Sequence, residues 1–116
     1  MKVLLVNGSP HKNGCTDTAL KEVADTLHKE GIDTKSFWIG NKPISGCIAC
    51  KGCIEKKKCV LQDSVNEFLD LSESCNGFVF ETPVHWGGTS GAMTSFLDHA
   101  FYADLNGGGN NCNFCT

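Results

Sequence analysis

The opening eighteen residues restrict the fold more than any other stretch. Val3 to Val6 is an unbroken apolar run, and Asn7-Gly-Ser-Pro10 stops it with turn chemistry. A short run of this kind reads as a strand buried on both faces, as in a parallel sheet. Gly14 follows in the same loop, and a helical pattern begins near Thr16. Strand, small-residue loop and helix N-terminus together make an anion site, because the first helical turn leaves its N–H groups free and the macrodipole adds roughly half a positive charge. Ser9 and Thr16 add hydroxyls there, and His11 and Lys12 add polar or cationic groups. Other phosphate loops are excluded. Gly8 and Gly14 are six apart and are followed by Cys-Thr, which is not a Walker loop, no Gly-x-Gly-x-x-Gly is present, and a chain without arginine cannot carry a Cys-x5-Arg phosphatase loop.

At 116 residues the chain is the size of one domain. Its net charge of −3 argues against a nucleic-acid surface. No apolar run reaches eighteen residues, so no membrane span is expected. Met1 leads straight into a strand without a cleavage signature, which gives a cytoplasmic protein as the expectation. In a reducing compartment the 8 cysteines then read as ligands or reactive groups rather than disulfides.

Further along, Leu20, Val23, Ala24 and Leu27 mark one face of a helix that Gly31 is placed to end. Asp33 to Ile39 reads as a second strand near the sheet edge, and Gly40 to Cys59 as a loop. Ser64-Val-Asn-Glu67 is a capping box that opens a short helix with Val65, Phe68 and Leu69 inward. Gly77 to Glu81 is a third buried strand, Thr82 to Gly91 another small-residue loop, and Ala92 to about Tyr102 a helix whose Met93, Phe96 and Leu97 are core. His28 and His99 read as helix-surface residues, and Cys75 as a buried inert thiol. The order β-α-β-α-β-α predicts an α/β fold with a parallel sheet and right-handed crossovers. Ligands of such sheets lie beyond the carboxyl ends of the strands, where both small-residue loops fall.

Cys47, Cys50, Cys53 and Cys59 are spaced C-x2-C-x2-C-x5-C. Three thiolates at intervals of three with a fourth beyond suit a [4Fe–4S] centre. Structural zinc more often uses two separated knuckles, so the residues leave open a cluster, zinc or another metal, and free thiols. Lys51, Lys56, Lys57 and Lys58 flank the site and either offset thiolate charge or form a solvated face. Cys15, beside Lys12 at a helix start, is a reactive thiol or a small loop filler.

Three segments together resemble the flavodoxin-like NAD(P)H-dependent FMN reductases, and among them the iron–sulfur flavoproteins. They are Asn7 to Thr16, Cys47 to Cys59, and Thr82 to Asp98, in the family's order and spacing. The resemblance implies a flavodoxin-like three-layer α/β/α fold and a non-covalent FMN. Its phosphate would be held by Ser9, His11, Asn13, Gly14, Cys15 and Thr16. Pro83, Val84, His85, Trp86, Gly87 and Gly88 would lie along the ring. His85 is a candidate to place a proton near the flavin, with loop packing as its other role. His11 stands where the family commonly has arginine and Cys15 where asparagine is common, and a neutral imidazole holds phosphate less well than a bidentate guanidinium. NAD(P)H would be the electron donor, and the acceptor a small molecule or an electron-carrier protein. An electron-transfer module without turnover, or an inactive relative, is the alternative.

Such a sheet has five strands, and only three are legible here. Residues 1–105 therefore read as an incomplete domain, and 106–116, with Cys112 and Cys115, as an irregular tail. The third strand would be an exposed apolar edge of the kind that pairs with another chain, which gives a homo-oligomer as the expectation.

Overall fold

The computed structural model describes residues 1–56, 58–61 and 63–103. Lys57 and the whole 106–116 tail, with Cys112 and Cys115, lie outside the described residues.

Three strands, β1 (Lys2–Asn7), β2 (Asp33–Trp38) and β3 (Gly77–Glu81), form a parallel sheet in the order β2-β1-β3. β1 is central, as its apolar run on both faces requires, and β2 lies at an edge. Alternate β1 side chains serve different layers. Val3 and Leu5 pack with Leu20, Val23, Ala24 and Leu27 of α1 (Cys15–Lys29). Leu4 and Val6 pack with Val65 and Phe68 of α3 (Ser64–Ser72) and with Met93 and Phe96 of α4 (Gly91–Ala103). The result is the three-layer α/β/α arrangement expected.

Phe68 is fully buried, with its ring 5.1 Å from Phe96 and about 6 Å from Phe37, Phe78 and Phe80. A core aromatic in such a setting is worth about 3–5 kcal/mol against alanine. Gly31 ends α1 as predicted. It has φ +75°, its N–H bonds His28 at 3.0 Å, and Ile32 N–H bonds Leu27 at 3.0 Å, the paired closure of a Schellman turn.

Three expectations need correction. The cap of α3 is Asp63, not Ser64: the Asp63 carboxylate accepts from Val65 N–H at 3.0 Å, while Ser64 Oγ is buried without a hydrogen-bond partner among the described residues. Aspartate outcompetes serine because its charge also meets the helix dipole. The segment from Gly40 to Cys59 is not all loop, since Gly52–Lys56 forms the one-turn helix α2. Thr82 to Gly91 contains a hairpin, β4 (Val84–His85) and β5 (Gly88–Thr89), turning at Trp86 and Gly87 with φ of +52° and +74°. Two positive φ values in succession are what a two-residue hairpin turn demands.

Candidate functional site

Both small-residue loops leave the carboxyl ends of neighbouring strands, and the structure pins them together. Gly8 N–H donates to Glu81 O at 2.7 Å. Ser90, the buried residue just before α4, donates its hydroxyl to Gly8 O at 3.4 Å and accepts from Met93 N–H at 3.2 Å. Thr82 Oγ1 donates to Ser90 Oγ at 3.0 Å and receives Ser90 N–H at 3.2 Å. Gly8 permits this close approach: a Cβ there would collide with Met93 Cε and stand 3.0 Å from Glu81 O.

Within the first loop the backbone is shaped from inside. Asn7, 5 % exposed, accepts Ser9 N–H at 2.9 Å and donates to Lys12 O at 3.2 Å. Ser9 Oγ accepts His11 N–H at 3.1 Å, and Trp38 Nε1 donates to Ser9 O at 2.7 Å. Lys12 Nζ lies 5.8 Å above the Trp38 ring, within cation–π range. The sequence reading named Ser9 but missed the two residues that brace the loop, Asn7 and Trp38. Asn7 carried a signal as the first residue of the turn, whereas nothing near Trp38 in sequence points to Ser9.

Gly14 precedes α1 without any side-chain cap, so the first N–H groups of that helix, at Cys15, Thr16 and Asp17, have no capping partner. Thr16 and Ser9 are buried, Gly14 is half-buried, and His11, Asn13 and Cys15 are exposed. Asp17 adds a negative charge beside this turn, partly balanced by Lys21 at 2.9 Å. In the second loop Pro83 is half-buried, and Val84 to Gly88 are exposed. Trp86 is wholly exposed. Val84 pairs with Thr89 and His85 with Gly88, so the hairpin uses part of this backbone itself and turns the remainder outward.

The cysteine segment forms a second site. Cys47, Cys50, Cys53 and Cys59 line one small cavity with Val60, Leu61 and His99. Cys53, on α2, is buried and Cys59 half-buried, while Cys47 and Cys50 are exposed. Burial pushes the Cys53 and Cys59 thiols above the usual range, and the nearby Cys47 and Cys50 sulfurs push the same way. For Cys59 the Asp63 carboxylate adds to the rise. Ala49 and Lys51 hold left-handed φ of 53° and 62°, and Ala49 N–H donates to Cys47 Sγ at 3.4 Å. Backbone held in that region by non-glycine residues costs of order 1–3 kcal/mol each and clusters at sites built for a ligand. Asn66 steadies the far arm, accepting Cys59 N–H at 3.0 Å and donating to Cys59 O at 2.8 Å.

The donor set fits an iron–sulfur centre in kind and number, with four thiols around one cavity and an N–H turned to sulfur. The cavity, about 20 Å³, is smaller than a four-iron core, and among the described residues no three His, Cys, Asp or Glu groups stand close enough to share one ion. Of the flanking lysines, Lys58 is paired with Asp70 at 2.8 Å.

His99 corrects the sequence reading. It was expected on the helix surface, yet it is 1 % exposed and lines the cysteine cavity. Its Nδ1 lies 3.2 Å from Asp63 Oδ2, within ion-pair reach but misaligned for a hydrogen bond, and Nε2 has no hydrogen-bond partner among the described residues. Spacing held the signal: Met93, Phe96, His99, Ala100 and Ala103 are the buried positions of α4. Cys75 is buried as expected, with its Sγ donating to Leu71 O at 3.4 Å. His28 is exposed as expected and bonds Thr34 Oγ1 at 2.8 Å.

Residues 1–111 match the family model described as NADPH-dependent FMN reductase. The chain is 32% identical over 100 residues to an iron-sulfur flavoprotein of Methanocaldococcus jannaschii, covering 86% of this chain and 52% of that protein. It is 32% identical over 93 residues to an iron-sulfur flavoprotein of Archaeoglobus fulgidus, covering 80% and 47%. A second Methanocaldococcus jannaschii iron-sulfur flavoprotein is 30% identical over 99 residues, covering 84% and 50%. The chain thus spans about half the length of the relatives it matches. Among the described residues no helix is long and apolar enough to cross a membrane.

Proposed function

The chain belongs to the NADPH-dependent FMN reductase family, in its iron–sulfur flavoprotein branch, and on that premise we propose that it is an FMN-dependent oxidoreductase passing electrons from NAD(P)H to a small-molecule or protein acceptor, with a [4Fe–4S] centre in the cysteine cavity. The observation that carries the flavin half is the joint between the two loops, Gly8 to Glu81 and Ser90 to Gly8. It supports one continuous surface at the carboxyl edge of the sheet, with free helix N–H groups at one end and an outward hairpin at the other.

Bound there, FMN would supply hydride acceptance and one- or two-electron release, and the cluster one-electron transfer. The residues of the chain bind and orient. Ser9, Thr16 and the backbone N–H groups from Lys12 to Cys15 take the phosphate, and the backbone from Pro83 to Gly88 takes the polar edge of the ring. Exposed Trp86 covers the ring, and His85 stands beside it as a proton carrier. His11 in place of arginine weakens the phosphate grip. Lys12, held over Trp38, supplies the fixed cation beside that loop.

The β3 edge carries Phe78 and Phe80 and has no outer strand among the described residues. Such an edge supports pairing with another copy, and we include a homo-oligomer in the reading. A second reading, an electron-transfer module without turnover, is favoured by the cysteine cavity taken alone.

Titration with FMN tests the proposal. Quenched flavin fluorescence and a raised melting temperature are expected, and unquenched flavin with an unmoved melting temperature overturns it. Absorption of anaerobically purified protein separates the readings: bands near ~375 and ~450 nm mean flavin, and a shoulder near ~400 nm alone means the electron-transfer module.

A further inference from the structure

We propose that Trp38 is a positioning residue of the cofactor site: its indole N–H fixes Ser9, so that the first loop selects a flavin carrying a phosphate over one without. The inference rests on the reading of that loop as the FMN-phosphate seat. It names a residue outside all three segments that carry the family resemblance.

Trp38 is placed by the edge strand, not by the loop. It closes β2 between the buried Phe37 and Ile39, in register with Asn7 of β1, and Ile39 N–H donates to Asn7 O at 3.1 Å. From that anchor the indole N–H reaches Ser9 O at 2.7 Å, across 29 positions of sequence.

Ser9 precedes Pro10, which has no N–H, so their peptide group offers an acceptor only. A carbonyl left free beside an anion turns partial negative charge toward it, and like charges repel. The indole N–H occupies that carbonyl. The other groups of Ser9 are fixed as well: its N–H goes to Asn7 Oδ1 at 2.9 Å, and its hydroxyl oxygen accepts His11 N–H at 3.1 Å. A serine hydroxyl that accepts still has its own proton to donate, which is what a phosphate oxygen takes. The face of the same indole lies under the Lys12 ammonium, 5.8 Å from the ring centroid. Ser9 and Lys12 both belong to the phosphate end of the site, whereas the flavin ring would lie along Pro83 to Gly88. A side chain that acts on the phosphate end alone tells FMN from riboflavin, which has the same ring and no phosphate.

The test is titration of the full chain, as wild type and as W38F, with FMN and with riboflavin, read by quenching of flavin fluorescence. Phenylalanine removes the N–H and keeps an aromatic face for Lys12. The inference expects FMN affinity to fall by about three- to tenfold in W38F, the worth of one net hydrogen bond, with riboflavin affinity unchanged. If W38F does not fold, site-specific replacement of Trp38 by its benzothiophene analogue, which has sulfur in place of the ring N–H, gives the same comparison. An unchanged FMN affinity, or an equal loss for both flavins, overturns the inference and leaves the FMN reading intact, because a tryptophan that only supports the fold acts on both flavins alike. A wild-type chain that binds neither flavin overturns the FMN reading itself, and the inference with it.

Discussion

The paired loops at the sheet edge and the cysteine segment solve opposite problems. In the loops, polar groups are already spent on one another: Asn7, Ser9, Thr82 and Ser90 are each engaged by neighbours, and Gly8 is squeezed between Glu81 and Met93. Such a site is preorganised, and a ligand pays little for ordering it. In the cysteine segment the thiols are unequal in burial, two backbone positions sit in a left-handed conformation, and the buried Nε2 of His99 has no hydrogen-bond partner among the described residues. That segment is held less completely by its own contacts. One chain therefore carries a tightly bonded loop joint and a cysteine segment with fewer internal ties.

The contrast can be broken most sharply at Gly8. Gly8→Ala drives a Cβ into Met93 and toward the Glu81 carbonyl, and the overpacking should cost about 1–3 kcal/mol. Urea denaturation should show that loss together with weaker FMN binding. A variant as stable as wild type would mean that the joint is not rigid.

A smaller effect should appear with pH. The native Cys53 and Cys59 thiols are raised by burial, so the folded state holds their protons more tightly than the unfolded chain. Their contribution is complete below the ordinary thiol range, about 8.5, and is lost as pH rises through the higher native values. The melting temperature of metal-free protein should fall as pH rises above about 8.5, and Cys53→Ser should flatten that fall. A flat profile in the wild type would show that the cysteine arm is not packed as described.

The smallest effect on stability is expected at Cys47. This exposed thiol should tolerate Cys47→Ser within about 0.5 kcal/mol in metal-free protein. Iron uptake after reconstitution should nonetheless be lost, and retention of full iron content would remove Cys47 from the site.

The sequence disclosed the parts whose physics is local. The β1 run could only be a buried strand, the α1 stripe and Gly31 wrote both the face and the end of a helix, and the loop after β1 announced its helix N-terminus. What it hid depends on partners far along the chain. Asp63 and Ser64 are both good caps, and only the packed structure decides between them. Trp86 in the first turn position masked a hairpin that asparagine would have advertised. His99 passed for a surface residue because a charged-capable ring amid Leu97, Asp98 and Ala100 looks solvated until the cysteine arm is folded over it. The cofactor-site residues were named by resemblance; their neighbours Asn7 and Trp38 emerge only from three-dimensional bonding.

The indole of Trp38, fastened to the Ser9 carbonyl, gives the protein a built-in optical gauge. The chain has 2 tryptophans. Trp86 is bathed in water, and Trp38 is half-covered at the rim of the anion loop. Their emission should separate by wavelength, red for Trp86 and blue for Trp38, so that light from the bluer one records what enters that loop without any added label.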